Sequence, residues 1–179
     1  MRPILCTIFL FLFINCKSKQ LDQQHTLRSE KTIYKLEHCN ENAQCSIEIT
    51  PNTNLILKQD ELQNSYIDFE KGDKVIVKYE FKRNELPNTA DGHHIELIYF
   101  EMDKNTEQLF LTNEELQSIK MVYGRLCYCK GTSGYFKVTN GNLKLIHKND
   151  EMTIELDFKV GKIPQLLSGI NETIKLKRN

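Results

Sequence analysis

The chain has 179 residues, with 24 Lys plus Arg balanced by 24 Asp plus Glu and no tryptophan. Zero net charge leaves no basic footprint for nucleic acid, so a nucleic-acid partner is excluded from the expected readings. A chain of this length can bury roughly 70 % of its unfolded surface, which suits one self-sufficient domain better than a peptide needing a partner to fold.

At the N-terminus, Arg2 precedes an apolar run from Ile4 to Ile14 that only Cys6 and Thr7 interrupt. Its length fits the hydrophobic core of a secretory signal and is too short to span a bilayer comfortably. The run ends at Cys16 after Phe13, Ile14 and Asn15, and the chain turns polar at once. This ending resembles a relaxed form of the lipobox of bacterial lipoproteins. The resemblance implies a signal peptide over residues 1–15, cleavage before Cys16, and acylation of Cys16 with palmitate-type chains that anchor the protein to a membrane. Lys17 follows, in place of the Asp of an inner-membrane retention signal, and no acidic cluster of the surface-export type is present. An outer-membrane position facing the periplasm is the expectation.

The next segment, "KSKQLDQQHTLRSEK", carries only two aliphatic residues and no aromatic one. It cannot bury enough apolar area to offset chain entropy and reads as a tether over residues 16–31, reaching roughly 20–25 Å. Residues 32–179 then read as a single β-rich domain.

From Thr32 the pattern is strand after strand. In "DKVIVKYEFK", Val75, Val77, Tyr79 and Phe81 alternate with charged residues, apart from Ile76, which predicts a strand with one core-facing side. "HHIELIYFEMD" is apolar on both faces and suits a central strand covered on both sides. Between Tyr135 and Val160, Asn140-Gly141 and Asn149-Asp150 predict two tight hairpins joining three strands, the Asn-Gly pair being the stronger signal. Asp91-Gly92 and Gly131–Gly134 mark further turns, and Thr173–Lys177 reads as the last strand. Two short helices are expected. One is the "LTNEELQSIKM" segment, where Thr112 or Asn113 caps and Leu116 and Ile119 face inward; the other is Pro164–Ile170, with Pro at the start and Gly169 as the stop. Together these predict an all-β antiparallel sandwich of about ten strands with one or two short helices; a flattened lipocalin-like barrel is the alternative.

Cys6 leaves with the signal and Cys16 takes the lipid, so Cys39, Cys45, Cys127 and Cys129 remain in the domain. An even number in an exported domain predicts disulfides. "HCNENAQC" places Cys39 and Cys45 at the base of a hairpin loop, which pairs them. Cys127 and Cys129 lie on one side of one strand, about 6.6 Å apart if extended, so bonding them requires a bend. They either bond across such a distortion or remain a thiol pair.

Familiar catalytic motifs are absent: there is no G-x-S-x-G, H-E-x-x-H or P-loop, so no catalytic residue is assigned and no cofactor is expected. His93 and His94 are adjacent, so in a strand they point to opposite faces and cannot easily share a metal; strand-end or surface roles are expected for them. The domain cysteines do not match the usual zinc spacing, and no metal site is assigned. Tyr66, Tyr99, Tyr123, Tyr128 and Tyr135 stand where a glycan binder would use Trp, but alternating strands more often place such rings in the core.

The segment "CYCKGTSGYFKVTNGNLKL" and the strands after it, Cys127 to Val160, resemble strand-rich envelope lipoproteins of Bacteroidetes. That resemblance implies an envelope lipoprotein and transfers no catalytic motif. The leading expectation is therefore a membrane-anchored, non-enzymatic binding or structural module for a protein or small-molecule ligand. Two alternatives stand beside it: a hydrolase without a legible motif, and a thiol redox or soft-metal protein using Cys127 and Cys129.

Overall fold

The computed structural model describes residues 31–85, 88–89 and 92–177. The signal segment, Cys16, the tether up to residue 30, and Asp91 of the predicted Asp91-Gly92 turn lie outside them.

Among the described residues, ten strands build two antiparallel sheets. They are β1 (Thr32–Lys35), β2 (Ala43–Gln59), β3 (Ser65–Arg83), β4 (His94–Asp103), β5 (Gln108–Thr112), β6 (Val122–Cys127), β7 (Gly134–Lys137), β8 (Gly141–Lys148), β9 (Glu151–Phe158) and β10 (Gly169–Lys175). The larger sheet runs β1-β2-β3-β4-β6-β7 and the smaller β10-β9-β8-β5. Neither closes on itself, so the fold is the sandwich and not the barrel.

Alternation decides which residues meet between the sheets. Val75, Val77 and Tyr79 of β3 are buried there with Ile98 and Phe100 of β4, facing Leu143, Leu145, Ile154 and Leu156 of the smaller sheet; Phe81 packs at the margin. Ile76, the exception in the β3 pattern, is buried on the opposite face. That face has its own cover. The β2–β3 hairpin changes register at Pro51/Thr53, and its far half brings Leu55 against Ile76, Leu97, Tyr99 and Val122. Leu55 N–H donates to the buried carboxylate of Glu101 (2.8 Å), and Lys120 Nζ donates to the Leu55 carbonyl (2.9 Å). This cover explains why β4 is apolar on both faces.

Two local expectations change. The stronger hairpin signal does not make a hairpin. β7 pairs with β6 in the larger sheet and β8 with β9 in the smaller, so Asn140-Gly141 carries the chain between sheets. Asn140 keeps a negative φ, and Gly141 is required for another reason: any Cβ there would collide with the Asp157 carbonyl and Phe158 of β9. The weaker pair, Asn149-Asp150, is the true hairpin turn, with Asn149 at φ 56°. Second, Pro164–Ile170 is not helical, and β10 begins at Gly169, ahead of the predicted Thr173. The N–H groups of Leu166 and Leu167 are drawn away to a buried carboxylate described below. The other expected helix is present: Asn113–Ile119 forms a 3-10 helix with Thr112 at its N-cap. Its Thr112 N–H donates to Glu115 at 2.9 Å, and Leu116 and Ile119 are buried as expected.

Candidate functional site

Antiparallel pairing of β4 with β6 sets His94 opposite Cys127 and Glu96 opposite Arg125. Side chains two residues apart share a face, so all four occupy the inner side of the larger sheet, at one end of the core. His93, one residue earlier, is exposed, in keeping with opposite faces for the two histidines.

Glu96 has no solvent exposure. A charge so placed must be paired or hydrogen-bonded, and it is. Leu166 N–H reaches both carboxylate oxygens at 3.0 Å and Leu167 N–H reaches Oε2 at 2.6 Å. His94 Nε2 lies 2.8 Å from Oε1, and Arg125 Nε is 3.8 Å away. The Glu96 carboxylate, as an acceptor, engages Nε2–H, which orients the ring and leaves Nδ1 outside that contact. Gln165 holds the covering segment in place: its side chain accepts from Val160 N–H (2.7 Å) and donates to the Leu167 carbonyl (3.0 Å). The Tyr123 phenol borders the same carboxylate. Burial, and then the negative charge of Glu96, push its ionisation well above the ordinary range.

The two sulfurs meet this pair from β6. The strand ends at Cys127 and the chain bends at Tyr128, which shortens the Cα separation of Cys127 and Cys129 to 5.2 Å and brings them to disulfide distance. Arg125 holds the loop that follows, donating to the Thr132 hydroxyl and carbonyl, while Ser133 Oγ donates back to the Arg125 carbonyl (3.0 Å). One ring nitrogen of His94 and the two sulfurs all lie within 4.8 Å of one another. Both cysteines are half-buried, His94 is buried, and Tyr128 between the cysteines is exposed.

A carboxylate orienting an imidazole beside a sulfur is the arrangement that thiol chemistry uses: one group moves a proton and another holds it in place. Cys39 and Cys45 are also at disulfide distance, with Cα atoms 5.6 Å apart. Cys39 reaches back from the loop after β1 to Cys45 in β2, whose carbonyl accepts from Leu36 N–H. Among the described residues, His94, Cys127 and Cys129 form the one grouping of three or more metal-ligating side chains.

Of the tyrosines, Tyr99 and Tyr123 are core residues, Tyr135 is half-buried, and Tyr66 and Tyr128 are exposed. A groove of about 460 Å³ on the smaller sheet is lined by Phe110, Asn142, Lys144, Glu155, Asp157 and neighbours. Its polar side chains bond one another, Lys144 to Glu155 (2.7 Å) and Asn142 to Asp157 (3.2 Å).

Sequence spacing singles out Cys127 and Cys129, and His94 opens β4 in keeping with a strand-end role, but its partnership with Glu96 and the roles of Arg125 and Thr132 are not read from it. A signal was present. His94 and Glu96 in "HIELIYF", and Arg125, Cys127 and Cys129 in "RLCYC", recur at period two within otherwise apolar strands. No known protein family, curated protein or solved structure matches this chain, so its chemistry has to be read from the geometry of this centre.

Proposed function

We propose that the chain is an envelope lipoprotein, anchored through acylated Cys16 in the outer membrane and facing the periplasm, whose sandwich carries a reversible thiol–disulfide centre at Cys127 and Cys129. The apolar run ending at Cys16 and the polar tether support the anchor. The single observation that carries the redox reading is the buried Glu96–His94 pair set against the two sulfurs.

The partner is a thiol of a protein or small molecule. Its thiolate attacks one sulfur of the pair, a mixed disulfide forms, and the Cys127–Cys129 bond breaks. The departing sulfur leaves with the bonding electrons and takes, by way of His94, the proton that the attacking thiol gave up, while Glu96 faces the imidazolium that carries it. A second partner thiol resolves the mixed disulfide, so two partner thiols are oxidised to a disulfide and the Cys127–Cys129 disulfide is reduced to two thiols. Run in reverse, the same steps reduce a partner disulfide.

The test is graded reduction of the full chain by a dithiol, with each bond followed by alkylation and peptide mass. Cys127–Cys129 opens first, Cys129→Ser or Cys127→Ser traps a mixed disulfide, and His94→Gln slows exchange at least tenfold. Simultaneous opening of both bonds, or exchange indifferent to His94, overturns the redox reading. The mass of the mature N-terminus tests the anchor separately; an unmodified Cys16, or a start elsewhere, removes it.

A further inference from the structure

We infer that the reduced form of this centre is a three-donor site for a soft monovalent cation, Cu(I), held by the sulfurs of Cys127 and Cys129 and a ring nitrogen of His94. The inference rests on the redox reading, because the sulfurs can bind a metal only as thiolates.

Three observations carry it. The donor atoms lie within 4.8 Å of one another, a spread that a single ion can bridge with small side-chain rotations. Their set is two soft sulfurs and one imidazole, the chemistry that selects soft late metals over Mg(II), Ca(II) or Mn(II). The outer support of a metal site is already built: a buried carboxylate orients the histidine ring, and its own remaining oxygen valences are taken by Leu166 and Leu167 N–H. Three donors saturate a d10 monovalent ion in a trigonal geometry. Zn(II) prefers four and would be left one ligand short, since no fourth His, Cys, Asp or Glu joins the group among the described residues.

The half-burial of the cysteines gives the ion a way in from the side of Tyr128, while the buried histidine and Glu96 form the closed rear of the site. Binding releases protons: two thiols and one Cu(I) give a bis-thiolate complex and two protons. Oxidation to the disulfide by two-electron exchange with a partner disulfide removes both sulfur ligands and expels the ion. The same pair therefore alternates between a metal-binding and a metal-free state.

The test uses the full chain in detergent with Cys39 and Cys45 replaced by Ser, opened with a phosphine under anaerobic conditions, freed of reductant and titrated with Cu(I) against a chromophoric chelator. One ion per chain is expected, with X-ray absorption reporting two sulfurs and one nitrogen. Cys129→Ser should lower affinity at least a hundredfold. His94→Gln should lower it at least tenfold and remove the nitrogen shell, in a protein whose melting curve is checked against the parent. Failure to retain Cu(I), retention without His94 in the coordination shell, or preference for Zn(II) overturns the assignment. Free thiols counted in the same sample separate the two proposals. Two free thiols with no bound ion end the metal inference and leave the redox reading standing; a bond that the phosphine cannot open ends both.

Discussion

The two cysteine pairs of this domain differ in what surrounds them more than in how they are joined. Cys39 and Cys45 close a loop of six sequence positions between β1 and β2, and Cys45 is buried in the main core beside Ile47. Cys127 and Cys129 are two positions apart where β6 ends, half-buried, with an imidazole and a buried carboxylate behind them. Cys45 of the first pair is buried among apolar core side chains, and half-buried Cys39 packs against the same cluster. The second sits beside an imidazole and a buried carboxylate, and the proposed thiol chemistry rests on that difference. A cysteine's reactivity follows its electrostatic surroundings, so one domain can keep one pair for architecture and another for chemistry.

The largest test of that contrast removes the group behind the second pair. Glu96→Ala leaves Leu166 N–H and Leu167 N–H without their acceptor in a closed space and removes the carboxylate that contacts His94 and lies 3.8 Å from Arg125 Nε. The expected loss is about 3–5 kcal/mol in denaturant unfolding, because a buried partner has been orphaned. A variant that unfolds within about 1 kcal/mol of the parent would mean that the carboxylate does not hold the covering segment.

Next in size is the difference between the pairs themselves. Removing the Cys39–Cys45 link by double substitution to Ser should cost about 2 kcal/mol from loop entropy, whereas the tighter Cys127–Cys129 ring should cost about 1.5 kcal/mol or less. Equilibrium unfolding of the two double variants decides this. Greater destabilisation from the second pair would make it a structural element and dissolve the contrast.

The smallest effect expected is from Thr132→Val, which takes away the hydroxyl that anchors Arg125 to the loop after Cys129. Stability should fall by about 1 kcal/mol, and reduction of Cys127–Cys129 should become faster while that of Cys39–Cys45 stays unchanged. Equal acceleration of both would show a general loosening with no local role for the loop.

How much of this was legible beforehand differs between the fold and the centre. The alternation of Val75, Val77, Tyr79 and Phe81 identified the inward face of β3, and the doubly apolar β4 pointed to cover on both sides. The cover itself, the far half of the β2–β3 hairpin, was not visible, because a bend at Pro51/Thr53 leaves each strand's pattern intact while redirecting it. The Asn-Gly signal at 140–141 misled because local turn preference was overruled by which sheet each flanking strand joins. Pro164–Ile170 misled because helix signals compete poorly with a buried carboxylate that needs two N–H donors.

By itself the sequence determined the strand-rich class, the inward faces, the pairing of Cys39 with Cys45 across a short loop, and the need for a bend or bulge before Cys127 and Cys129 can meet. Each of these follows from contacts within a few residues, where chain geometry limits the choices. Only the tertiary structure decided that His94 faces Cys127 and that Glu96 stands behind it. That juxtaposition depends on β4 pairing with β6 across the excursion of β5 into the other sheet, and on residues 166–167 folding back over the end of the core. Such pairings are selected by burial on both faces of a sheet at once, a collective quantity that no local pattern encodes.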